Sequence, residues 1–333
     1  MSQRVYKFDI IKVLLMVLVV MAHTLSNSYG SLYHETLRYF LLFYTMPMFT
    51  FISGYFSKPN RKILPILMDY LFPFLLFSTI YHFYAPFVKS TPVPSWAYPG
   101  FSMWYLWVLV LYKLLLPYLI RIPFILPISF LLSWAAGFSK NIGDPFVLSR
   151  FICFMPFFLT GYFVSCGKSS VCSYFRNCIL RKESSFYGLL LLFGITILCL
   201  MLIQHKPGFT YGTGVNHCYG SAPITGLLKR IVLQFLILLS FYGMILCVPN
   251  EDLWIAKFGR KTMNCYLLHG FIVLFFAYRV FPPLGSSWEL DILMIFVPTL
   301  ICLLFFTDFV DKIMNKILYL PHHVANCYAR KKI

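Results

Sequence analysis

The sequence predicts an all-α polytopic membrane protein of about ten transmembrane helices, with both termini on the cytoplasmic side. Three observations carry that prediction. Charged residues make up 12% of the 333 positions and hydrophobic residues 59%, roughly half the charge density of a soluble domain. The charges are bunched, leaving apolar blocks of about twenty residues, the length at which a helix crosses the hydrocarbon core. Lys and Arg also crowd into alternate connecting segments, as the positive-inside rule requires. A β-barrel would instead show short alternating segments, and none is present.

The blocks fall at roughly 8–27, 36–56, 63–84, 102–120, 122–138, 146–165, 186–204, 224–248, 262–281 and 290–311. The first, an apolar run from Val13 to Ala22 behind Arg4 and Lys7, has the outline of a signal peptide. Asp9 and Lys12 interrupt its flank and no small-x-small site follows, so it is expected to be retained as a span. Pro47, Pro73, Pro156 and Pro298 fall inside the second, third, sixth and tenth blocks, where neighbouring helices can accommodate kinks. Only Arg121 and two prolines divide the fourth block from the fifth. A short basic cytoplasmic tail, 312–333, is about one helix by length. The chain therefore reads as one membrane domain over 1–333, and no soluble transferase domain is expected after the last span.

With the N-terminus inside, the inner segments hold Arg4, Lys7, Lys58, Arg61, Lys62, Arg121, Lys168, Arg176, Arg181, Lys182, Lys257, Arg260, Lys261, Lys316, Arg330, Lys331 and Lys332. The outer ones hold Lys89, Lys140, Arg150 and Lys206, with Arg38 and Arg279 near outer span ends. This asymmetry predicts N-in and C-in and accounts for most of the +17 net charge, which also attracts anionic lipid. An anionic cofactor arriving from the cytoplasm is compatible with the same charge. Nucleic acid is not expected as a partner, since the basic residues are scattered over short loops.

Of ten cysteines, Cys153, Cys199, Cys247, Cys265 and Cys302 sit inside apolar blocks, where cysteine acts as a small hydrophobe. Cys166, Cys172 and Cys178 share one basic loop at six-residue steps with no histidine beside them, which is not zinc spacing. Cys218 has no external partner. Neither a structural disulfide nor a metal is expected. A weak internal echo links the stretch Pro47 to Phe56 with Pro156 to Phe163; small residues in both would permit close helix contact.

Ionisable residues inside spans are costly and mark function by default. The first span carries Asp9, Lys12 and His23. Eleven residues from Lys12 to His23 turn three full circles plus roughly 20°, and rise about 16 Å. Asp9 and Lys12, three apart, can pair on that face, with Met16 and Val19 on the line between. Taken alone, Lys12 is also explained by snorkelling and His23 by an interhelical hydrogen bond. Histidine, with an unperturbed pKa of about 6.5, suits general-base work. No G-x-S-x-G nucleophile motif is present, so the simplest scheme is attack by a substrate hydroxyl deprotonated by His23. His269 sits a third of the way into the ninth span, His82 near the outer end of the third, where it is expected at the interface. Arg150 begins the sixth and can hold a sugar hydroxyl or an acid, or snorkel.

These residues fall in patterns that resemble the acyltransferase-3 membrane O-acyltransferases, in particular the branch of fucose and polysaccharide O-acetylases. The first span is similar to the family's Arg/Lys-x10-His pattern at Lys12 and His23, preceded by Asp9. Phe43-Tyr44-Thr45-Met46-Pro47-Met48-Phe49 leading to Ser53-Gly54-Tyr55 resembles the second-span signature. Trp104-Tyr105-Leu106 resembles the aromatic W-F/Y-L segment, and Phe154 to Tyr162 the F-P-F-F-L-x-G-Y stretch with Met155 inserted. Gly259-Arg260-Lys261 through Tyr266-Leu267-Leu268-His269 resembles the late G-x-x-S-x-x-x-Y-L-x-H signature, with Thr262 and Asn264 where serine is common. The family's R-x-x-R appears as Lys58-Pro59-Asn60-Arg61, and lysine at 58 keeps the charge without bidentate geometry.

The resemblance implies an O-acetyltransferase of the cell inner (cytoplasmic) membrane. Its donor would be cytoplasmic acetyl-CoA or another acyl-CoA, and its acceptor a cell-surface or lipid-linked glycan. It places His23 and Asp9 in catalysis, Lys12, Lys58 and Arg61 on the cofactor, and Arg150, Trp104 and His269 on the substrate. Two other readings stay open on the sequence: a transporter or flippase of a lipid-linked sugar, and a non-catalytic partner in glycan assembly. The former often shows paired broken helices from inverted repeats.

Overall fold

A computed structural model describes residues 4–25, 32–139, 141–143, 145–203, 219, 223–281, 288–323 and 325. Lys140, Lys206, Cys218, Arg330, Lys331 and Lys332 lie outside the described residues, as do the side chains of Arg38, Phe43, Tyr44 and Cys199.

Each apolar block is helical, and no strand occurs among the described residues. In order, the helices are α1 (Tyr6–Leu25), α2 (Leu32–Tyr55), α3 (Ile63–Lys89), α4 (Trp104–Leu119), α5 (Ile125–Ala135) and α6 (Leu148–Cys166). There follow α7 (Ser170–Leu180), α8 (Phe186–Ile203), α9 (Pro223–Cys247), α10 (Thr262–Phe275), α11 (Trp288–Leu303) and α12 (Asp308–Leu318). Five described segments, Tyr6–Leu25, Ile63–Lys89, Pro145–Cys166, Pro223–Cys247 and Thr262–Val280, are long and apolar enough to cross a membrane, and shorter apolar helices accompany them.

Three boundaries differ from the sequence reading, each for a local reason. The third helix runs on to Lys89 and contains a π-helical turn at Leu67–Leu71. The loop expected around Cys172 and Cys178 is the short helix α7, started by Ser169, whose hydroxyl accepts from the Cys172 amide at 3.1 Å. The tenth block stops at Phe306, because Thr307 leaves the helical region and caps α12. By contrast α4 and α5 are cleanly divided, the chain turning at Phe124 with φ 54°.

The internal echo has a packing meaning. A Cβ on Gly54 would lie 1.9 Å from the Phe158 carbonyl oxygen, and one on Gly161 would lie 2.0 Å from that of Phe51. The two echoing stretches are therefore the two halves of one crossing between α2 and α6, where each glycine admits the other helix's backbone.

α1 occupies the middle of the bundle. Phe8, Ile11, Leu15, Met16, Val19 and Ala22 are buried on one side and Ile10, Val13 and Val20 on another, while Leu14 faces outward, so this apolar helix is enclosed by protein on most of its surface. One end of the bundle gathers the basic segments. There Arg4 donates to the Ala256 carbonyl at 3.1 Å, and the Lys7 ammonium donates to Cys178 O at 2.9 Å and Ile245 O at 2.8 Å. Lys7 thus ties α1 to the last turns of α7 and α9, whose final carbonyls lack helical partners.

Candidate active site

The first-span residues lie as the helical spacing implies at the basic end. Lys12 Nζ is 2.8 Å from Asp9 Oδ1 and Arg4 Nε is 2.9 Å from Asp9 Oδ2. Asp9 is held close because a Cβ on Gly259 would sit 2.5 Å from the Asp9 Cβ, so only glycine lets the 254–260 turn abut α1 here. Asp9 thus orients Lys12 and Arg4. It lies fourteen residues, about 21 Å of helix rise, from His23, too far to touch the same atoms.

Above Lys12 opens an apolar cavity of about 170 Å³. Met16 and Val19 of α1 line it, facing Met46, Phe49 and Ser53 of α2 and Tyr105 and Leu109 of α4. Thr262 and Tyr266 close it from α10, and Tyr70 from the π turn. The line from Lys12 through Met16 and Val19 points to His23 one turn further on. The few polar groups in the wall are mutually satisfied: Ser53 Oγ and Tyr105 Oη lie 2.9 Å apart, and Tyr266 donates to Ser102 O at 2.5 Å.

At the far end of this line His23 meets His269, ring centroids 5.4 Å apart. Phe101 covers the pair, 5.0 Å from His23 and 5.5 Å from His269. Phe101 has φ 41°, a left-handed backbone that costs energy for a bulky residue and that collects at functional sites. The close seat of Phe101 against α10 is possible because a Cβ at Gly270 would meet its ring at 2.4 Å.

His269 is fully buried. Its Nδ1 lies 2.8 Å from Tyr266 O and 3.1 Å from Cys265 O, and a nitrogen facing two carbonyls must carry the proton. The lone pair is then on Nε2, which has no hydrogen-bond partner among the described residues. A buried acceptor left open in this way is expensive unless a ligand donates to it.

Arg150 and Trp104 come together, the guanidinium 4.9 Å over the indole ring, and Trp104 in turn packs on Phe154. Lys58 and Arg61 sit elsewhere, in a second cavity of about 370 Å³ at the basic end, with Ser57, Asn60 and Lys113. Arg61 is ion-paired to Asp69, which also takes His322 Nε2 at 2.7 Å. His82, near the end of α3, is buried with its ring stacked on exposed Trp96 at 3.9 Å.

Sequence reasoning passed over Tyr70, Asp69 and Lys113. All three lie in apolar blocks, and the rule that singled out Lys12 applies equally to Asp69 and Lys113. Tyr70 and Phe101 carried no such signal, since nothing separates them from other aromatic residues in a chain that is 20% aromatic.

With this geometry in place, comparison with protein families finds that a model of the acyltransferase-3 family, described as an acyltransferase domain, matches residues 5–307. No curated protein and no solved structure matches the chain. The matched region takes in both cavities and the histidine pair, and the chain belongs to the acyltransferase-3 family of membrane acyltransferases.

Proposed function

We propose that this protein is an O-acetyltransferase of the cytoplasmic membrane that moves acetyl from acetyl-CoA to a hydroxyl of a cell-surface or lipid-linked glycan. The observation that carries the reading is the apolar cavity leading from the Lys12–Asp9 pair along Met16 and Val19 toward His23 and His269. It is the shape a thin acyl-bearing arm requires, bordered by Lys12 at one end and running toward the imidazoles at the other. Family membership favours this reading over a transporter or an assembly partner.

In this scheme all ten apolar blocks span the membrane and the basic end faces the cytoplasm, in keeping with the positive-inside rule. The donor's phosphates stay at Lys12, Lys58 and Arg61, where charge-assisted hydrogen bonds hold them. Asp9 fixes Lys12. The acceptor sugar approaches from the other side, against Trp104 and Arg150, with a neighbouring hydroxyl donating to Nε2 of His269 so that the reacting hydroxyl keeps its proton toward His23.

His23 then takes the hydroxyl proton as the oxygen attacks the thioester carbonyl. The carbon–sulfur bond breaks, and the leaving thiolate recovers the proton from the imidazolium. A positioned base of this kind contributes roughly 10²–10⁴ in rate. Enclosure by Phe101 and Tyr266 keeps water from competing for the acyl group.

The test is transfer of radiolabelled acetyl from acetyl-CoA to glycolipid in membranes carrying the wild type or His23→Ala at equal expression. Label only with the wild type supports the reading. Equal label in both would remove His23 from the chemistry.

A further inference from the structure

Lys113 stands in the middle of α4, within the apolar stretch Leu106 to Leu119. Its side chain is buried. The ammonium donates to Ser57 Oγ at 2.9 Å and lies 4.9 Å over the Tyr70 ring, and among the described residues no carboxylate is within ion-pairing distance of it. An ammonium has three donors, and Ser57 and Tyr70 are the only side chains they meet among the described residues. A buried cation with no carboxylate paired to it is costly, and inside a membrane bundle such a group marks a site.

The cavity that Lys113 faces is also lined by Lys58 and Arg61. Among the described residues the acidic side chain at this locus is Asp69, already shared between Arg61 and His322. Three cations converge on one space against a single carboxylate, an excess of positive charge that a multiply charged anion would satisfy. At about 370 Å³ the space falls in the range of small-ligand sites. Asp69 sits on the π turn Leu67–Leu71, a distortion that recurs at functional sites.

Tyr70, on the same turn, stands between the apolar cavity and two cations of the basic one. It lines the apolar one, while Arg61 and Lys113 lie over its ring at 5.6 and 4.9 Å. A ligand with phosphates at one end and a single thin arm at the other would fill both at once. A phospholipid offers the phosphate but carries two chains, for which the 170 Å³ slot has no room.

We propose that Lys113 is a phosphate-binding residue that completes, with Lys58 and Arg61, a site for the nucleotide phosphates of the acyl donor, and that Asp69 is the internal anion those phosphates displace from Arg61. This rests on the acyl-CoA reading given above.

The experiment uses the full chain purified in detergent and measures binding of CoA, adenosine 3′,5′-bisphosphate and phosphate-free pantetheine. Lys113→Gln is expected to weaken CoA and the bisphosphate by about tenfold or more, as loss of a charged hydrogen bond does, and to leave pantetheine unchanged. Lys113→Arg should retain most of the affinity. Asp69→Asn should tighten both phosphate ligands, a gain that damage to the fold would not produce. If Lys113→Gln does not fold, exposed Lys58 carries the same test as Lys58→Gln.

Wild-type binding of CoA that neither substitution weakens would overturn the site while leaving the acyltransferase reading intact. Protection by phosphatidylglycerol, dependent on Lys113 and without any CoA or bisphosphate binding, would make the source a lipid headgroup. That outcome would overturn the nucleotide assignment, and the labelled-acetyl assay would then decide the reading beneath it.

Discussion

His23 and His269 stand with ring centroids 5.4 Å apart, although they come from the first and tenth helices. The two imidazoles are not equivalent. Hydrogen bonds to Tyr266 and Cys265 carbonyls fix the proton of His269 on Nδ1, which makes its Nε2 a permanent acceptor. The division of labour proposed here gives the proton transfer to His23 and the alignment of the acceptor, through a second hydroxyl, to His269. His23→Ala should then lower kcat by about 10²–10⁴ with acyl-CoA KM little changed. His269→Ala should chiefly raise the acceptor KM. Steady-state kinetics on both substrates separate the two, and the reverse pattern would exchange the roles.

Val19 lines the apolar cavity one turn short of His23. Val19→Phe adds bulk to a space of about 170 Å³ without introducing polarity. Overpacking costs about 1–3 kcal/mol, so folded yield should fall modestly. The functional consequence should be selective: any activity with longer acyl donors should be lost before activity with acetyl-CoA. Equal loss across chain lengths would place the acyl group elsewhere.

Gly54 and Gly161 serve one crossing, each facing the other helix's carbonyl at about 2 Å from where a Cβ would stand. Either Gly→Ala change must push α2 and α6 apart, because backbone cannot yield as a side chain can. Folded protein in detergent should fall sharply for each single variant. The double variant should be little worse than the worse single, since contacting sites are not additive. Additive losses would mean that the two glycines act independently.

Lys7 is buried and donates to two helix-end carbonyls. Lys7→Met keeps the apolar stem and removes the donors, leaving Cys178 O and Ile245 O without that partner. A cost of about 2–3 kcal/mol follows for charged hydrogen bonds lost from a buried site, visible as a lower unfolding midpoint. Acyl-CoA KM in the folded fraction should be unchanged, because Lys7 lines neither cavity. A raised KM would tie Lys7 to the donor.

Outside the spans, the Lys261 ammonium sits 2.5 Å from Asp308 and holds its carboxyl below the usual aspartate range. A lowered folded-state pKa gives a contribution that is present above the ordinary aspartate value and is lost as pH falls through the lowered one. The contact joins α12 to the start of α10, so protection factors for exchange in α12, corrected for the intrinsic pH dependence, should fall on acidification in the wild type. Asp308→Asn should show the lower protection already at neutral pH and little further change. Both charges are near the surface, so the effect should shrink in high salt.

Much of this protein follows from the order of its residues. Backbone amides cannot be left unsatisfied in lipid, so twenty-residue apolar blocks had to be largely helical, and among the described residues they are, the tenth ending early at Phe306. Helical periodicity alone placed Asp9 beside Lys12 and set Met16 and Val19 on the line to His23. The charge asymmetry of the loops reached the surface of the bundle, where basic segments gather at one end. Short polar interruptions were harder to read, because a single cap residue such as Ser169 or Thr307 decides whether six to eleven residues make a loop or a helix.

Only the tertiary structure decided which residues meet across helices. Pairings such as His23 with His269, Arg150 with Trp104 and Gly54 with Phe158 depend on helix rotation and crossing. Those are set by the summed packing of many side chains, and a linear pattern does not encode them locally. The same holds for the two cavities. An absence of atoms has no sequence signature, and Lys113 reads as one stray charge until Lys58 and Arg61 are seen across the space it faces.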